Sequence, residues 1–266
     1  MRIATWNVNS LPARLPRLLG WLASVEPDVV LLQETKIAQE AFPSAELAAA
    51  GYESVHRGQG RWNGVAVLSR VGIDDVEADL PGAPGFPEGT DPPEARYIAA
   101  TCGDVRVAGV YVPNGRTPLD PHYAYKLAWL HALAGHLASA AGAAMPFAVL
   151  GDFNIAPADD DVWDIAAFVG STHVTPPERA AIAELRALGL VDVIPTISKG
   201  PHPYTYWDYR AGSFHKAMGM RIDLVLANAG FADRVTGAVV DRDARKPGVK
   251  GTPAPSDHAP VIVDLL

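Results

Sequence analysis

The sequence predicts an α/β fold in which two mixed β-sheets pack face to face between outer layers of helices, and three observations carry this reading. Short apolar runs of strand length alternate with longer stretches whose apolar residues recur at helical spacing. Some neighbouring runs are joined by hairpin-like turns and others by helical crossovers, so the sheets should mix antiparallel and parallel pairs. Glycine and proline, 24 and 23 residues of 266, cluster between the apolar runs and mark loops.

Residues 2–8 carry β-branched and aromatic side chains and run into Asn7-Val8-Asn9-Ser10, a strand followed by a polar turn. Leu15, Leu18, Leu19 and Leu22 fall on one face of a helix over 12–25, which Glu26-Pro27 closes. Residues 28–33 are apolar at consecutive positions, the pattern of a strand buried on both faces. Strands over 52–55, 64–69, 96–101 and 105–112 follow and are expected to form a meander, with a proline-glycine loop over 80–93 between the middle pair. A helix over 121–141 places Leu127, Leu130, Leu133, Ala134 and Leu137 on one stripe, with His131 and His136 read as surface residues. A buried strand over 146–150 ends at Gly151-Asp152-Phe153-Asn154. Helices over 160–168 and 178–188 come next, then a loop segment to Gly219, strands over 221–227 and 237–241, and a last strand over 259–265. No repeat, linker or charge block divides the chain, so one domain over 1–266 is expected.

Hydrophobic residues make up 48% and charged residues 20%, the ordinary globular mix, which argues against a disordered or fibrous chain. The first residues lack the apolar stretch of a secretory signal, and no run approaches membrane-span length. Cys102 is the single cysteine, so no internal disulfide can form and a reducing cytoplasm is the expected location, with the chain a monomer. The net charge of −8 counts against a nucleic-acid partner, which ordinarily meets a basic surface. Acids that line a metal site would remove part of this objection, because the cation offsets their charge.

Unusual polar residues stand at strand ends, where α/β proteins place their ligand sites. They are Asn7, Glu34, Asp152 with Asn154, Asp223, and Asp257-His258. Singly, Asn7 also reads as a turn residue, Glu34 as a partner of Lys36, and Asp152 as an Asx turn. Asp223 is harder to explain locally, since Ile222, Leu224, Val225 and Leu226 surround it and an unpartnered buried carboxylate is costly. Jointly, the acids, carboxamides and one histidine form the inventory of a divalent-metal phosphodiesterase. Magnesium suits the set, because it takes one or two carboxylates plus waters and substrate oxygens at about 2.0–2.1 Å. Manganese can take its place, whereas zinc fits less well without a histidine pair at ligand spacing.

The motifs Thr5-Trp6-Asn7-Val8-Asn9, Leu32-Gln33-Glu34-Thr35-Lys36, Val110-Tyr111-Val112-Pro113-Asn114-Gly115, Gly151-Asp152-Phe153-Asn154-Ile155-Ala156-Pro157, Arg221-Ile222-Asp223-Leu224 and Ser256-Asp257-His258-Ala259-Pro260 span the chain. In this order they resemble the exonuclease III and abasic-site endonuclease family of the endonuclease/exonuclease/phosphatase superfamily. The second and fourth are the specific ones, and the segment Tyr204-Thr205-Tyr206-Trp207-Asp208-Tyr209-Arg210 points to the DNA-repair branch.

This resemblance implies a four-layered α/β sandwich with the site at one edge of the paired sheets. It implies hydrolysis of phosphodiester bonds in double-stranded DNA, at abasic sites, at 3′ ends by exonuclease action, or at a 3′-phosphate. Glu34 would bind magnesium, with Asn7 and Asp257 supporting the metal shell. Asp152 would orient or deprotonate the attacking water and Asn154 would hold it. Asp223 would fix His258, whose other nitrogen donates to a phosphate oxygen, and Tyr111 and Asn114 would contact the same phosphate. Tyr206, Trp207, Met220 and Ile222 resemble an apolar pocket for an extruded base-less sugar, although an aromatic cluster also reads as core. Trp62 and Arg116 would touch the DNA backbone from loops, and Lys126 would reach toward Tyr111 or stay solvated. Asn9 departs from the aspartate that some family members carry there, which removes a carboxylate from the metal shell. Two alternatives stay open: a superfamily phosphodiesterase acting on inositol phosphates, sphingolipids or RNA, and a non-catalytic DNA-binding homologue.

Overall fold

The computed structural model describes residues 1–87, 89–90, 93–249 and 251–266. In chain order its strands are β1 (Arg2–Asn7), β2 (Val29–Gln33), β3 (Glu53–Arg57), β4 (Val65–Ser69), β5 (Asp74–Ala78), β6 (Tyr97–Cys102), β7 (Val105–Tyr111), β8 (Phe147–Asp152), β9 (Val191–Asp192), β10 (Asp223–Ala227), β11 (Val235–Val240) and β12 (Val261–Leu265). The α-helices are α1 (Leu11–Val25), α2 (Ser44–Ala49), α3 (Pro121–Ala141), α4 (Pro176–Ala187) and α5 (Ala229–Ala232). The strands form two six-stranded sheets, ordered β11-β12-β1-β2-β4-β3 and β5-β6-β7-β8-β10-β9.

Each sheet is mixed for the same physical reason. A parallel pair needs a crossover of a dozen or more residues, and the chain supplies one in each sheet: α1 between β1 and β2, and α3 between β7 and β8. The remaining pairs are antiparallel. Alternate side chains of each strand point to opposite faces. Ile3, Val29, Leu31 and Val67 meet Ile98, Val107, Leu150 and Val225 between the sheets. Trp6, Val30 and Leu32 face Leu18, Trp21 and Leu22 of α1, while Val110, Val149 and Leu224 face Trp129, Leu133 and Leu137 of α3. Both faces of the central strands are therefore covered, which explains their unbroken apolar runs. Each such aliphatic side chain contributes roughly 1.5–3 kcal/mol by leaving water. The four-layered sandwich expected from the sequence is the observed one.

Three local expectations are corrected. The strands read as a meander divide between the sheets: β3 and β4 pair beside β2, whereas β6 and β7 belong to the second sheet with β5. Strand β5, Asp-Asp-Val-Glu-Ala, carries no apolar run because it is an edge strand with mostly exposed side chains. The helix expected over 160–168 is two separate 3₁₀ turns, Asp159–Asp161 and Ile165–Phe168. Here Asp161 is drawn into a bidentate ion pair with Arg221, and Val162 bridges to Met220, contacts that a continuous helix would not make. Residues 88, 91 and 92 of the loop expected over 80–93 lie outside the described residues. His131 is exposed as expected, but His136 is half-buried, its Nε2 3.2 Å from both Tyr97 Oη and Glu77 Oε2. Among the described residues, no helix is long and apolar enough to cross a membrane.

Candidate active site

The strand order brings distant segments to one edge of the sandwich. Asn7 ends β1, Tyr111 ends β7 and Asp152 ends β8, in register with Tyr111 on one side and Asp223, the first residue of β10, on the other. Glu34 follows β2 with a left-handed φ of 53°, and Asn154 follows β8 with φ 51°, so both side chains turn out of their strands into the same cleft. The segment before β12 is tied down by three bonds. Ser256 Oγ donates to Asn7 O at 2.7 Å, His258 N–H donates to Ser256 Oγ at 3.2 Å, and Trp6 Nε1 donates to His258 O at 3.2 Å.

Asn7 organises the carboxylates. Its Oδ1 accepts from the Asn9 backbone N–H at 3.0 Å, which leaves Nδ2 to donate to Glu34 Oε1 at 2.8 Å and to Asp152 Oδ2 at 2.9 Å. Asp152 Oδ1 accepts from the Asn154 N–H at 2.9 Å. The Asn154 carboxamide is held at both ends, by Asn114 Nδ2 at 3.1 Å and Val112 O at 3.0 Å. Glu34 Oε2 meets Lys36 Nζ at 2.6 Å, and Lys36 also reaches Asn9 Oδ1 at 2.5 Å. Asn9 Nδ2 in turn donates to Asp257 Oδ1 at 3.0 Å, so the residue that departs from the family pattern bridges Lys36 and Asp257.

On the opposite wall, His258 Nδ1 lies 2.8 Å from Asp223 Oδ2 and His258 Nε2 lies 3.8 Å from Asp152 Oδ2. The ligand-capable atoms of Glu34, Asp152 and His258 all fall within 4.8 Å of one another. Burial raises the Asp152 carboxyl to about 7; His258 acts to lower it, while Asp223 and Glu34 add to the rise. Burial alone would depress the His258 imidazole, but Asp223 and Asp152 hold it up at about 10. Glu34 stays below the usual carboxylate range, because Lys36 and Asn7 outweigh its burial. Burial and then Glu34 push the Tyr111 hydroxyl well above its ordinary value, so it is a donor at neutral pH.

Of the residues singled out from sequence, Glu34, Tyr111, Asn114, Asp152, Asn154, Tyr206, Met220, Ile222, Asp257 and His258 line one cleft of about 160 Å³. Asn7 and Asp223 support it from beneath, both buried. Arg116 stands in the adjoining depression, its side chain mostly exposed. Trp62 is 61% exposed, with the Arg61 guanidinium 4.9 Å from its ring, and does not reach the cleft. Trp207 is corrected: at 1% exposure it packs edge-on against Phe214 in the core between the sheets and offers no surface to a DNA strand. Tyr206 faces the cleft, whereas its neighbours Tyr204 and Trp207 are buried in the core between the sheets.

One participant escaped the sequence reading, and another is corrected. His173 lines the cleft with its Nδ1 2.6 Å from the Asn154 carbonyl, and burial, helped by Lys126, lowers it to about 4. Lys126 is neither solvated nor directed at Tyr111. It is 0% exposed and donates to Asn154 O at 2.7 Å and to Glu178 Oε1 at 2.5 Å. Glu178, at the start of α4, also accepts from Thr172 Oγ1 at 2.6 Å and His173 N–H at 2.9 Å. Helical spacing puts Lys126 on the same stripe as Leu130, Leu133 and Leu137, a signal that its ammonium is buried and needs a partner, whereas nothing local in Ser171-Thr172-His173 signals a cleft wall.

A two-sheet sandwich with acids, carboxamides and an aspartate-supported histidine at one edge defines a hydrolase of phosphate esters. The chain belongs to the endonuclease/exonuclease/phosphatase family, whose profile matches residues 4–258. Among solved structures it resembles the 3′-5′ exonuclease NExo of Neisseria meningitidis, with 38% identity, a TM-score of 0.90, and 100% and 99% of the two chains covered. NExo has also been solved as a 3′ phosphatase bound to a product DNA hairpin. The AP endonuclease of Archaeoglobus fulgidus superimposes with the same TM-score of 0.90 at 32% identity, over 100% and 99% of the chains. Exodeoxyribonuclease III of Haemophilus influenzae is 28% identical over the full length of both chains.

Proposed function

We propose that this chain is a DNA-repair nuclease that uses a divalent cation, magnesium or in its place manganese, to hydrolyse phosphodiester bonds at abasic sites and 3′ ends of duplex DNA. The observation that carries the reading is the single Asn7 carboxamide clamping Glu34 and Asp152 opposite the Asp223–His258 pair. Full-length similarity to nucleases and a 3′ phosphatase supports the choice of DNA over other phosphodiesters.

The donors fit a hard cation. Carboxylate oxygens of Glu34 and Asp152 and a ring nitrogen of His258 lie within 4.8 Å of one another, and oxygen ligands with few histidines suit magnesium. Glu34 would hold the ion, with Asn7 and Asp257 completing its surroundings. When bound, the ion supplies charge neutralisation on the phosphate and the departing oxygen.

The chain's own residues do the rest. Asp152, its carboxylate aimed by Asn7 Nδ2 and the Asn154 N–H, accepts a proton from the attacking water, and Asn154 fixes the position of that water. Asp223 keeps the His258 ring oriented through Nδ1, so Nε2–H is directed toward a non-bridging phosphate oxygen. Tyr111 and Asn114 donate to the same phosphate from the opposite rim. Met220 and Ile222, with the Tyr206 ring 4.9 Å from His258, offer an apolar wall for a sugar that lacks its base. The whole cleft lies on one chain, which supports a monomer, and the single, buried Cys102 supports a reducing, cytoplasmic location.

Cleavage of an abasic-site duplex, a blunt duplex and a 3′-phosphorylated duplex, measured beside an inositol polyphosphate and sphingomyelin micelles, tests the proposal. Metal-dependent hydrolysis of the DNA substrates is expected. Turnover of the inositol or lipid ester without turnover of DNA would overturn it.

A further inference from the structure

A net charge of −8 leaves open how this chain would hold a polyanion, and its arginines answer by where they lie. Arg14, Arg17 and Arg245 gather around the segment that leads into β12, and Arg242 shares the Phe214 ring with Arg245. Among the described residues their guanidinium groups bond only to backbone carbonyls and to the Tyr209 hydroxyl, never to a carboxylate.

Arg245 is the extreme case. It is 5% exposed, donates Nη2 to Trp207 O at 3.1 Å, and leaves Nε buried with no partner. Its guanidinium lies 5.0 Å from the Tyr209 ring and 5.1 Å from the Phe214 ring, on the wall of a cavity of about 230 Å³. Arg242 covers Phe214 at 4.1 Å, and Arg14 donates to Tyr209 Oη at 3.0 Å. The carboxylate on the cavity wall, Asp208, is already taken by Arg210 at 2.6 Å. A buried cation with no carboxylate bonded to it, on which Asp257 and Asp208 act only through space, is costly to keep, and a planar guanidinium fork matches a phosphate.

The cavity and the catalytic cleft border one intervening depression. Asp208 and Ser213 line both this cavity and a depression whose far side is formed by Tyr206, His173 and Asn114, all residues of the catalytic cleft.

We propose that the Arg245 cavity is a second phosphate subsite, which takes a DNA backbone phosphate away from the scissile bond, with Arg242 and Arg14 flanking it. The inference rests on the nuclease function proposed above. It places the DNA grip in a local group of unpaired arginines, which an acidic overall balance does not prevent.

The test uses full-length protein carrying Asp152→Asn, so that binding is read without turnover. Duplex affinity is measured by fluorescence anisotropy between about 50 and 200 mM salt. Adding Arg245→Gln should weaken binding about tenfold and flatten the slope of log Kd against log salt by about one. Arg242→Gln should act in the same direction to a smaller extent. A scan of single methylphosphonate substitutions should find a non-scissile phosphate whose neutralisation weakens the parent but not Arg245→Gln. If circular dichroism shows that Arg245→Gln is unfolded, the same scan on Arg242→Gln decides. Unchanged slopes and a scan in which every phosphate behaves alike in parent and variant overturn the subsite while leaving the nuclease function standing. A parent that shows no salt-dependent duplex binding overturns both.

Discussion

His258 is fixed through its Nδ1, 2.8 Å from Asp223 Oδ2, which leaves its Nε2 facing Asp152 across 3.8 Å. The pair comes from β10 and from the turn before β12, strands of different sheets, so the contact exists only because the sandwich closes. Asp223 in turn is aimed by Thr205, whose Oγ1 accepts from the Asp223 N–H at 3.1 Å.

Asp223→Asn tests this arrangement directly. It removes the anion that sustains the protonated ring and permits the other tautomer, so kcat/KM on an abasic duplex should fall by about 10²–10⁴ with an unchanged circular dichroism spectrum. His258→Ala and Asp152→Asn should fall at least as far. Near-normal turnover by any of the three rejects the assigned roles.

Asn7→Ala should be felt first in cation affinity. The variant frees Glu34 and Asp152 from their shared donor, and loss of such a supporting bond weakens metal binding by about 10–100-fold. Titration calorimetry with magnesium or manganese reads this without any assay of turnover. Chelation by EDTA should stop hydrolysis in the parent, and magnesium should restore it; activity that survives exhaustive chelation counts against the cation.

Lys126→Met should cost about 3–5 kcal/mol in urea unfolding, because Glu178 would then be a buried charge without its counter-ion. Replacing both Lys126 and Glu178 by apolar residues should recover much of that stability without recovering activity, since the Asn154 carbonyl would still lack its ammonium donor. A double variant as unstable as the single one contradicts the ion-pair explanation.

His56 sets an acid limit on stability. Burial, then the Arg57 charge, lowers it from 6.5 to about 4, with Thr35 Oγ1 2.9 Å from its Nε2 and the Phe42 ring stacked at 4.2 Å. The unfolded chain therefore binds more protons than the folded one across this window, so stability rises with pH and is lost as pH falls from 6.5 toward 4. The loss is at most on the order of 3 kcal/mol. Urea midpoints at pH 7 and pH 4.5 should differ less in His56→Gln than in the parent, and an equal difference removes His56 from the explanation.

Read alone, the sequence determined the layered α/β class and most strand positions, because a strand covered on both faces must be apolar at every residue, as in Val29-Val30-Leu31-Leu32. It also pointed to Asn7, Glu34, Asp152, Asn154, Asp223 and His258 as a set: several have a local explanation singly, but turn and pairing chemistry gives no reason for acids, carboxamides and a histidine to recur together at strand ends. Edge strand β5 escaped because it lies at the rim and carries no such run.

Only the tertiary structure decided which sheet β3, β4, β6 and β7 join, since hydrogen-bond partners across a sheet leave no periodic trace in any one strand. It also decided that Trp207 is core while Tyr206 is cleft, that Lys126 is buried on Glu178, and that His173 walls the site. In each case the deciding contact joins residues far apart in the chain, and the energy that selects it arises from desolvation and pairing that exist only once the layers have packed.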